Sequence, residues 1–522
     1  MNRDEMIERI QMTSKKWDFI VIGGGATGMG VAIDAASRGY QTLLLEQADF
    51  GQGTSSRSTK LIHGGVRYLQ QGNVSFVLEA LKERGLLLQN APHLVHNLPF
   101  IVPNYDWWES PFYGIGLKLY DILAGKHGFG HSKILSFEQT LQHLPTVETN
   151  GLRGGVMYFD GQFDDARLVM NMARTAAEQG ATLVNYMRAE SLSRTDHFVD
   201  GVVTKDIETG KKYSLAARCV INATGVYADE IRVMEDPTSR PMIRPSQGVH
   251  IVLDRSFLPG DSAIMVPHTD DGRVLFAIPW QNCVLVGTTD TEVTTIPLEP
   301  VPLPSEIDFL IRHAARYLSK DPTPADVLSA FAGLRPLVAV GDSENTAAIS
   351  RDHVVHISQF GLVTITGGKW TTYRKMAEDT IDQAAVLAQL NTVSCVTHDL
   401  HIHGYHKNAD QFGELASYGS DAPALLDLLR DEASYSRPLH PSLPYLAGEV
   451  VWAARYEMAR TIDDFLSRRT RALLLNARAC LEMAPTVAEL LARELNKKGA
   501  WKKEQIRRFN DLAKNYIVGR RE

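Results

Sequence analysis

Short apolar runs closed by glycine alternate with stretches of helical periodicity through the first half of the chain. Asp18–Gly23 (DFIVIG) is an apolar run between a polar tail and glycines, the pattern of a buried parallel strand. Ala26–Gly39 carries small and apolar residues at helical spacing. It ends in Arg38-Gly39, a cationic last turn with a glycine cap. Gln41–Glu46 (QTLLLE) reads as a second strand. A helix rich in Leu and charge is predicted over Val74–Asn90, after which Pro92, Pro99, Pro103 and Pro111 break the chain. Aromatics cluster there at Tyr105, Trp107, Trp108, Phe112 and Tyr113, so this stretch reads as an excursion into another domain.

Helical spacing returns at Asp164–Gly180, followed by strands at Thr182–Tyr186 and Arg218–Asn222, the latter ending in Ala223-Thr224-Gly225. From Met242 to Thr291 the pattern turns β-rich (HIVL, AIMVP, RVLFAIPW, CVLVGTT), which predicts a mostly antiparallel substrate domain. Val354–Thr366 holds two more strands, and Gly367-Gly368 then opens a helix. Glu449–Ala479 is strongly helical and dense in Arg and Leu, and Val487–Ile517 is helical too, so a separate helical domain is expected over 392–522.

Composition narrows the class. A chain of 522 residues with 44% hydrophobic content can bury two or three cores. A net charge of −7 offers no basic field for nucleic acid. Cys219, Cys283, Cys395 and Cys480 are scattered without a CxxC pair, as expected of reduced thiols in a reducing compartment. Met1–Lys16 has no apolar core of a secretion signal, and no uninterrupted apolar run is long enough to cross a membrane. The most apolar surface segment, Pro111–Ala124, is interrupted by Lys118 and Asp121. The expected location is cytoplasmic, with or without peripheral attachment to the inner face of the membrane.

Gly23-Gly24-Gly25-Ala26-Thr27-Gly28 fits G-x-G-x-x-G between strand and helix. Its glycines allow the tight turn, the close approach of a pyrophosphate and the packing of helix on strand, and the helix N-terminus attracts phosphate. Glu46, 18 residues past Gly28, closes the second strand where a carboxylate can accept from ribose hydroxyls. This fingerprint fits NAD and FAD alike. The hydroxyl-rich segment Thr54–Lys60, the strand end Ala223–Gly225 and a second strand–glycine–helix at Gly367-Gly368-Lys369 add contacts suited to a flavin.

These stretches together resemble the FAD-dependent (aerobic) glycerol-3-phosphate dehydrogenase family. The resemblance is carried by VIGGGATGMG at 21–30, TSSRSTKLIHGGVRYLQ at 54–70, APHLVHNLPF at 91–100 and DDARLV at 164–169. It continues in INATGVYAD at 221–229, FAIPW with VGTTD at 276–290, GLRPL at 333–337, SRDHVV at 350–355, TGGKWTTYRKMAE at 366–378 and the helical segment 449–479. It implies an α/β fold: a discontinuous Rossmann-type FAD-binding domain (16–95, 160–232, 346–391), a substrate domain (96–159, 233–345) and the helical domain. It implies oxidation of sn-glycerol 3-phosphate at C2 to dihydroxyacetone phosphate, with hydride passing to flavin N5 and electrons passing on to a membrane quinone. An oxidase using oxygen and a non-enzymatic flavin-binding redox sensor are the competing readings.

The resemblance also implies a site. FAD contacts are expected from Gly23, Gly25, Ala26, Thr27, Gly28, Glu46, Thr54, Ser55, Ser58, Lys60, Leu61, Gly225, Gly368 and Thr371. The phosphate dianion calls for cations, for which Arg67 with Tyr68, Arg351 and Lys369 are candidates. His250 and Arg335 are the catalytic candidates. An imidazole near pKa 6.5 suits a base for the C2 hydroxyl, and an arginine can steady charge developing on its oxygen. Which of the two handles the proton stays open. His63 is the obvious point for a covalent flavin, although non-covalent binding is the family default. Trp370 and Arg57 stand where the family more often has leucine and a small residue. His398, His401, His403 and His406 lack a completing ligand pattern, so no metal is expected. The basic tail from Lys497 to Phe509 and the aromatic segment Tyr105–Tyr113 are two candidate membrane contacts, and a homodimer is compatible with the sequence.

Overall fold

The computed structural model describes residues 1–12, 16–65, 73–106, 109–125, 128–267, 269–270, 272–338 and 353–519. Its first layer is a mainly parallel sheet in which Trp17–Ile22 lies between Lys212–Asn222 and Thr42–Leu45. Thr182–Val184 and Val363–Gly367 continue the parallel run on either side, and His353–Ile357 closes one edge antiparallel. Helices Ala26–Ser37, Asp165–Glu178 and Tyr373–Leu387 pack together on this layer. Strands covered on both faces need continuous apolar runs, and Phe19, Ile20, Val21 and Leu43–Leu45 are correspondingly buried. Parallel strands end on one edge of the sheet. Gly23, Glu46, Ala223 and Gly367-Gly368 therefore meet there, although they are far apart in the chain.

The second layer is antiparallel except where Val95–Asn104 runs parallel to Ala263–Val266. Its long strand Ile243–Asp254 pairs with Ser329–Val338 along its whole length and with Cys283–Gly287 over its second half. The register sets Ser246 against Arg335 and His250 against both Phe331 and Gly287.

The C-terminal helices Ala447–Tyr456, Ala477–Glu494 and Gly499–Ala513 share a core with this sheet. Leu466, Leu473 and Val487 pack in one cluster with Val252, Trp280 and Phe331. The helical run expected over Glu449–Ala479 is broken. The first helix ends at Tyr456, Asp464–Arg469 winds as a wider turn, and a new helix starts at Ala477, capped by the Asn476 side chain. The cause is polar. The Asp464 carboxylate accepts from the backbone of Arg460 (2.7 Å) and Thr461 (3.1 Å). Arg468 and Arg469 turn inward onto Asp49 at 2.5 and 2.6 Å. Their spacing looks like a solvated helix face, but they are buried ion-pair partners. The polar opening of the chain also folds, as helix Arg3–Met12, with Arg3 on Asp206 at 2.7 Å. All four cysteines are free thiols.

Candidate active site

A cleft of about 1280 Å³, open solvent included, runs along the edge where the parallel strands end. Gly23, Gly25, Ala26 and Thr27 form its floor, with Glu46 at one end and Gly225, Gly368 and Lys369 along its length. Several of these glycines have a steric reason. A Cβ on Gly28 would lie 1.9 Å from the Gly23 carbonyl oxygen, and one on Gly23 2.5 Å from that of Ala223. Gly368 has φ +71°, and a Cβ there would meet the Met376 sulfur at 2.4 Å. Glu46 accepts from the backbone N–H of Gly24 (2.6 Å) and Ala48 (2.8 Å). Burial raises its pKa, opposed by those two amides. The Ser55 hydroxyl accepts from Ala26 N–H at 2.9 Å and so ties the segment 54–56 to the helix N-terminus. Trp370 closes the wall, its indole N–H on the Ser55 carbonyl at 2.9 Å.

His250 and Arg335 stand on the antiparallel layer and are not among the residues lining the cleft. The His250 ring stacks on Phe331 with centroids 5.0 Å apart, and its Nε2 lies 2.9 Å from the Thr59 hydroxyl. Its Nδ1 is buried without a hydrogen-bond partner among the described residues. Burial first, then Lys60 and Arg335, push the imidazole well below its ordinary pKa, so it is neutral at pH 7. Arg335 donates to Asp290 (3.2 Å), the Thr288 hydroxyl (3.2 Å) and the Thr289 carbonyl (3.1 Å). Two strand glycines make room for these groups. A Cβ on Gly287 would lie 2.1 Å from the His250 ring, and one on Gly248 2.4 Å from the Arg335 guanidinium. Lys369 Nζ lies 4.3 Å from the centre of the Phe76 ring.

Residues 18–374 match the family of FAD dependent oxidoreductases, and 363–506 match the C-terminal domain of alpha-glycerophosphate oxidase. Mitochondrial glycerol-3-phosphate dehydrogenase of Rattus norvegicus is 41% identical over 97% of this chain and 74% of its own length. The Arabidopsis thaliana mitochondrial protein of that name is 40% identical over 96% of this chain and 86% of its own. The glycerol-3-phosphate dehydrogenase of Bacillus halodurans, solved with FAD, superposes with TM-score 0.81 at 31% identity, covering 100% of this chain and 98% of that one. The chain belongs to the FAD-dependent glycerol-3-phosphate dehydrogenase family.

FAD is the cofactor of this dehydrogenase family, and the cleft residues suit it. The floor is a glycine cradle with little room for side chains. Gly25, where a Cβ would meet only the Ser55 hydroxyl, caps the helix without a side-chain hydrogen bond. At Gly225 a Cβ would have no atom within 4 Å, so the wall stands open to a ligand there. Of the residues expected around FAD, Gly23, Gly25, Ala26, Thr27, Glu46, Thr54, Ser55, Gly225 and Gly368 line the cleft, together with Lys369. The others are not among its lining residues. Gly28 supports the floor. The Ser58 hydroxyl and Lys60 Nζ are both on Asp165, at 2.7 and 2.6 Å. Leu61 is in the core shared with the C-terminal helices, and Thr371 is bonded to the backbone of His63. Arg67, Tyr68 and Arg351 lie outside the described residues.

Sequence reasoning passed over Thr59, Asp290, Gly248 and Gly287, which hold or make room for His250 and Arg335. Thr59 and Asp290 stand inside the motifs TSSRSTK and VGTTD, but their partners His250 and Arg335 are reached only through tertiary side-chain contacts. Away from the cleft, ligand atoms of Glu378, Cys395 and His398 come within 4.8 Å of one another. Arg374 already donates to Glu378 (2.7 Å) and contacts Cys395 Sγ (3.7 Å).

Proposed function

We propose that this chain oxidises sn-glycerol 3-phosphate at C2 to dihydroxyacetone phosphate and passes the electrons to a membrane quinone. Bound FAD supplies the hydride acceptor. The observation that carries the reading is a buried imidazole, His250, with an unpaired Nδ1 and within electrostatic reach of Arg335, a cation held by Asp290 and one residue before Pro336 of the cleft lining. His250 takes the C2 hydroxyl proton on Nδ1 in the tautomer whose Nε2–H donates to the Thr59 hydroxyl. Arg335 steadies the oxygen as negative charge develops on it. Lys369, with Arg67, Tyr68 and Arg351, holds the phosphate.

The quinone reading is supported by exposed apolar residues on two packed helices, the first of which contacts Lys369. Helix Val74–Asn90 covers Lys369 with Phe76 and exposes Val74 and Leu78, while helix Glu109–Ala124 exposes Leu119 and Ile122. Among the described residues no helix is long and apolar enough to cross a membrane, so this face serves for peripheral attachment at the inner membrane face. The basic helix Gly499–Ala513 is less suited, because Lys502, Arg507 and Arg508 are paired with Glu489, Glu504 and Asp511.

The test is anaerobic addition of sn-glycerol 3-phosphate with the visible spectrum recorded. Bleaching of the flavin bands within seconds is expected, and a spectrum that does not change overturns the substrate. Reoxidation of the bleached enzyme then identifies the acceptor. A quinone analogue far outpaces oxygen for a dehydrogenase, whereas rapid recolouring in air with peroxide formed marks an oxidase.

A further inference from the structure

Two walls of the cofactor cleft come from different layers. One is the segment Gly51–Ser55, and the other includes Leu298, from the connection between strand Thr291–Glu292 and helix Pro304–Ala315. That connection is largely exposed from Thr294 to Leu298 and turns inward at Glu299. Arg57, two residues past Ser55, grips both Glu299 oxygens at 3.0 and 2.6 Å. The same guanidinium reaches the carbonyls of Ala332 (3.2 Å) and Gln52 (3.3 Å). Tyr516, in the last turn Lys514–Tyr516, donates its hydroxyl to Glu299 at 2.6 Å. Arg57 and Tyr516 are buried. A Cβ on Gly333 would meet the Arg57 Cβ at 2.9 Å, so the strand beneath is open where this arginine crosses it.

None of the three side chains lines the cleft, yet Arg57 and Glu299 each stand within two residues of one that does. A bidentate arginine–carboxylate pair fixes orientation as well as separation, and removing one partner leaves the other charge buried and unpaired. We propose that Arg57, Glu299 and Tyr516 are positioning residues that clasp the cofactor cleft shut, so that retention of FAD depends on the C-terminal tail. The inference rests on FAD being the cofactor and is independent of the substrate assignment.

The test measures FAD release from the purified holoenzyme, followed by the rise of free-flavin fluorescence after dilution. Glu299→Gln is expected to release FAD at least ten-fold faster than wild type. Tyr516→Phe should do so several-fold faster, and the double variant no faster than Glu299→Gln alone. Arg57→Lys, which keeps the charge and loses the fork, should fall between wild type and Glu299→Gln. Activity with excess FAD should stay within two-fold of wild type. Release rates within two-fold of wild type in all variants overturn the clasp. So do melting temperatures of apoenzyme and holoenzyme that fall together while release is unchanged, since a purely structural role predicts that pattern. Should Glu299→Gln not accumulate folded, Tyr516→Phe decides alone: wild-type release overturns the proposal and faster release supports it.

Discussion

The two halves of the site are built on opposite principles. At the edge of the parallel sheet the cleft is lined largely by backbone: glycines, a helix N-terminus and one carboxylate held by two amides. The antiparallel sheet carries the proposed catalytic side chains, His250 and Arg335, projecting from paired strands over glycines that make room for them. A backbone site tolerates little added volume, because most of the missing Cβ positions are already crowded by a neighbour. A side-chain site tolerates volume better and depends on which partners fix each group. Substitutions should separate the two halves, loss of cofactor marking the first and loss of turnover or substrate affinity the second.

The largest effect is expected at Gly28. A methyl group there meets a carbonyl at 1.9 Å, so Gly28→Ala should weaken FAD binding roughly 100-fold or more, about 2.8 kcal/mol. Flavin absorbance per polypeptide after gel filtration measures it, and a fully yellow variant would break the backbone half of the comparison. Next comes Arg335→Lys, which loses the planar fork to Asp290, Thr288 and the Thr289 carbonyl. A hydrogen bond to a charged group contributes about 1.5–3 kcal/mol, so kcat for glycerol 3-phosphate oxidation should fall roughly 10- to 150-fold with FAD content unchanged. Glu46→Gln keeps the shape and removes the charge, for a loss in FAD affinity of about ten-fold, read by titration of apoenzyme.

The smallest effect is a pH dependence of stability. Burial, reinforced by His403 and Arg167, pushes His93 down to about 3, and burial likewise lowers His250. Both stay neutral in the folded state while the unfolded chain takes up protons below its ordinary histidine value near 6.5. The unfolded state then binds more protons, so stability is full above about pH 6.5 and falls as pH drops toward 3. Melting temperature should therefore drop by several degrees between pH 7 and 5, and His93→Gln should flatten that slope. An unchanged slope would remove His93 from the account.

The same contrast explains what could be read in the sequence. The parallel layer was legible because its signals are local: an apolar run, a glycine triplet and a carboxylate at a fixed distance lie within thirty residues. His250, Arg335 and Lys369 were legible only through motif resemblance. The surroundings of His250 and Arg335 depend on strand register and side-chain contacts between segments distant in sequence, so Thr59, Asp290, Gly248 and Gly287 went unread. Ser58 and Lys60 sit in a hydroxyl-rich segment that reads as ligand-binding, and the sequence gives no sign that Asp165, distant in the chain, bonds both. The broken helix near Asp464 failed for a similar reason. Buried Arg–Asp pairs and a solvated arginine face share one spacing, and only the tertiary partner Asp49 distinguishes them.

The most direct test is the rate of flavin reduction by sn-glycerol 3-phosphate in His250→Asn, followed anaerobically by stopped-flow against wild type. Loss of a general base costs roughly 100- to 10,000-fold, so reduction should slow by at least two orders of magnitude while the protein stays fully loaded with FAD. Reduction at the wild-type rate in a fully loaded variant would contradict the division between a backbone half that holds the cofactor and a side-chain half that handles the proton.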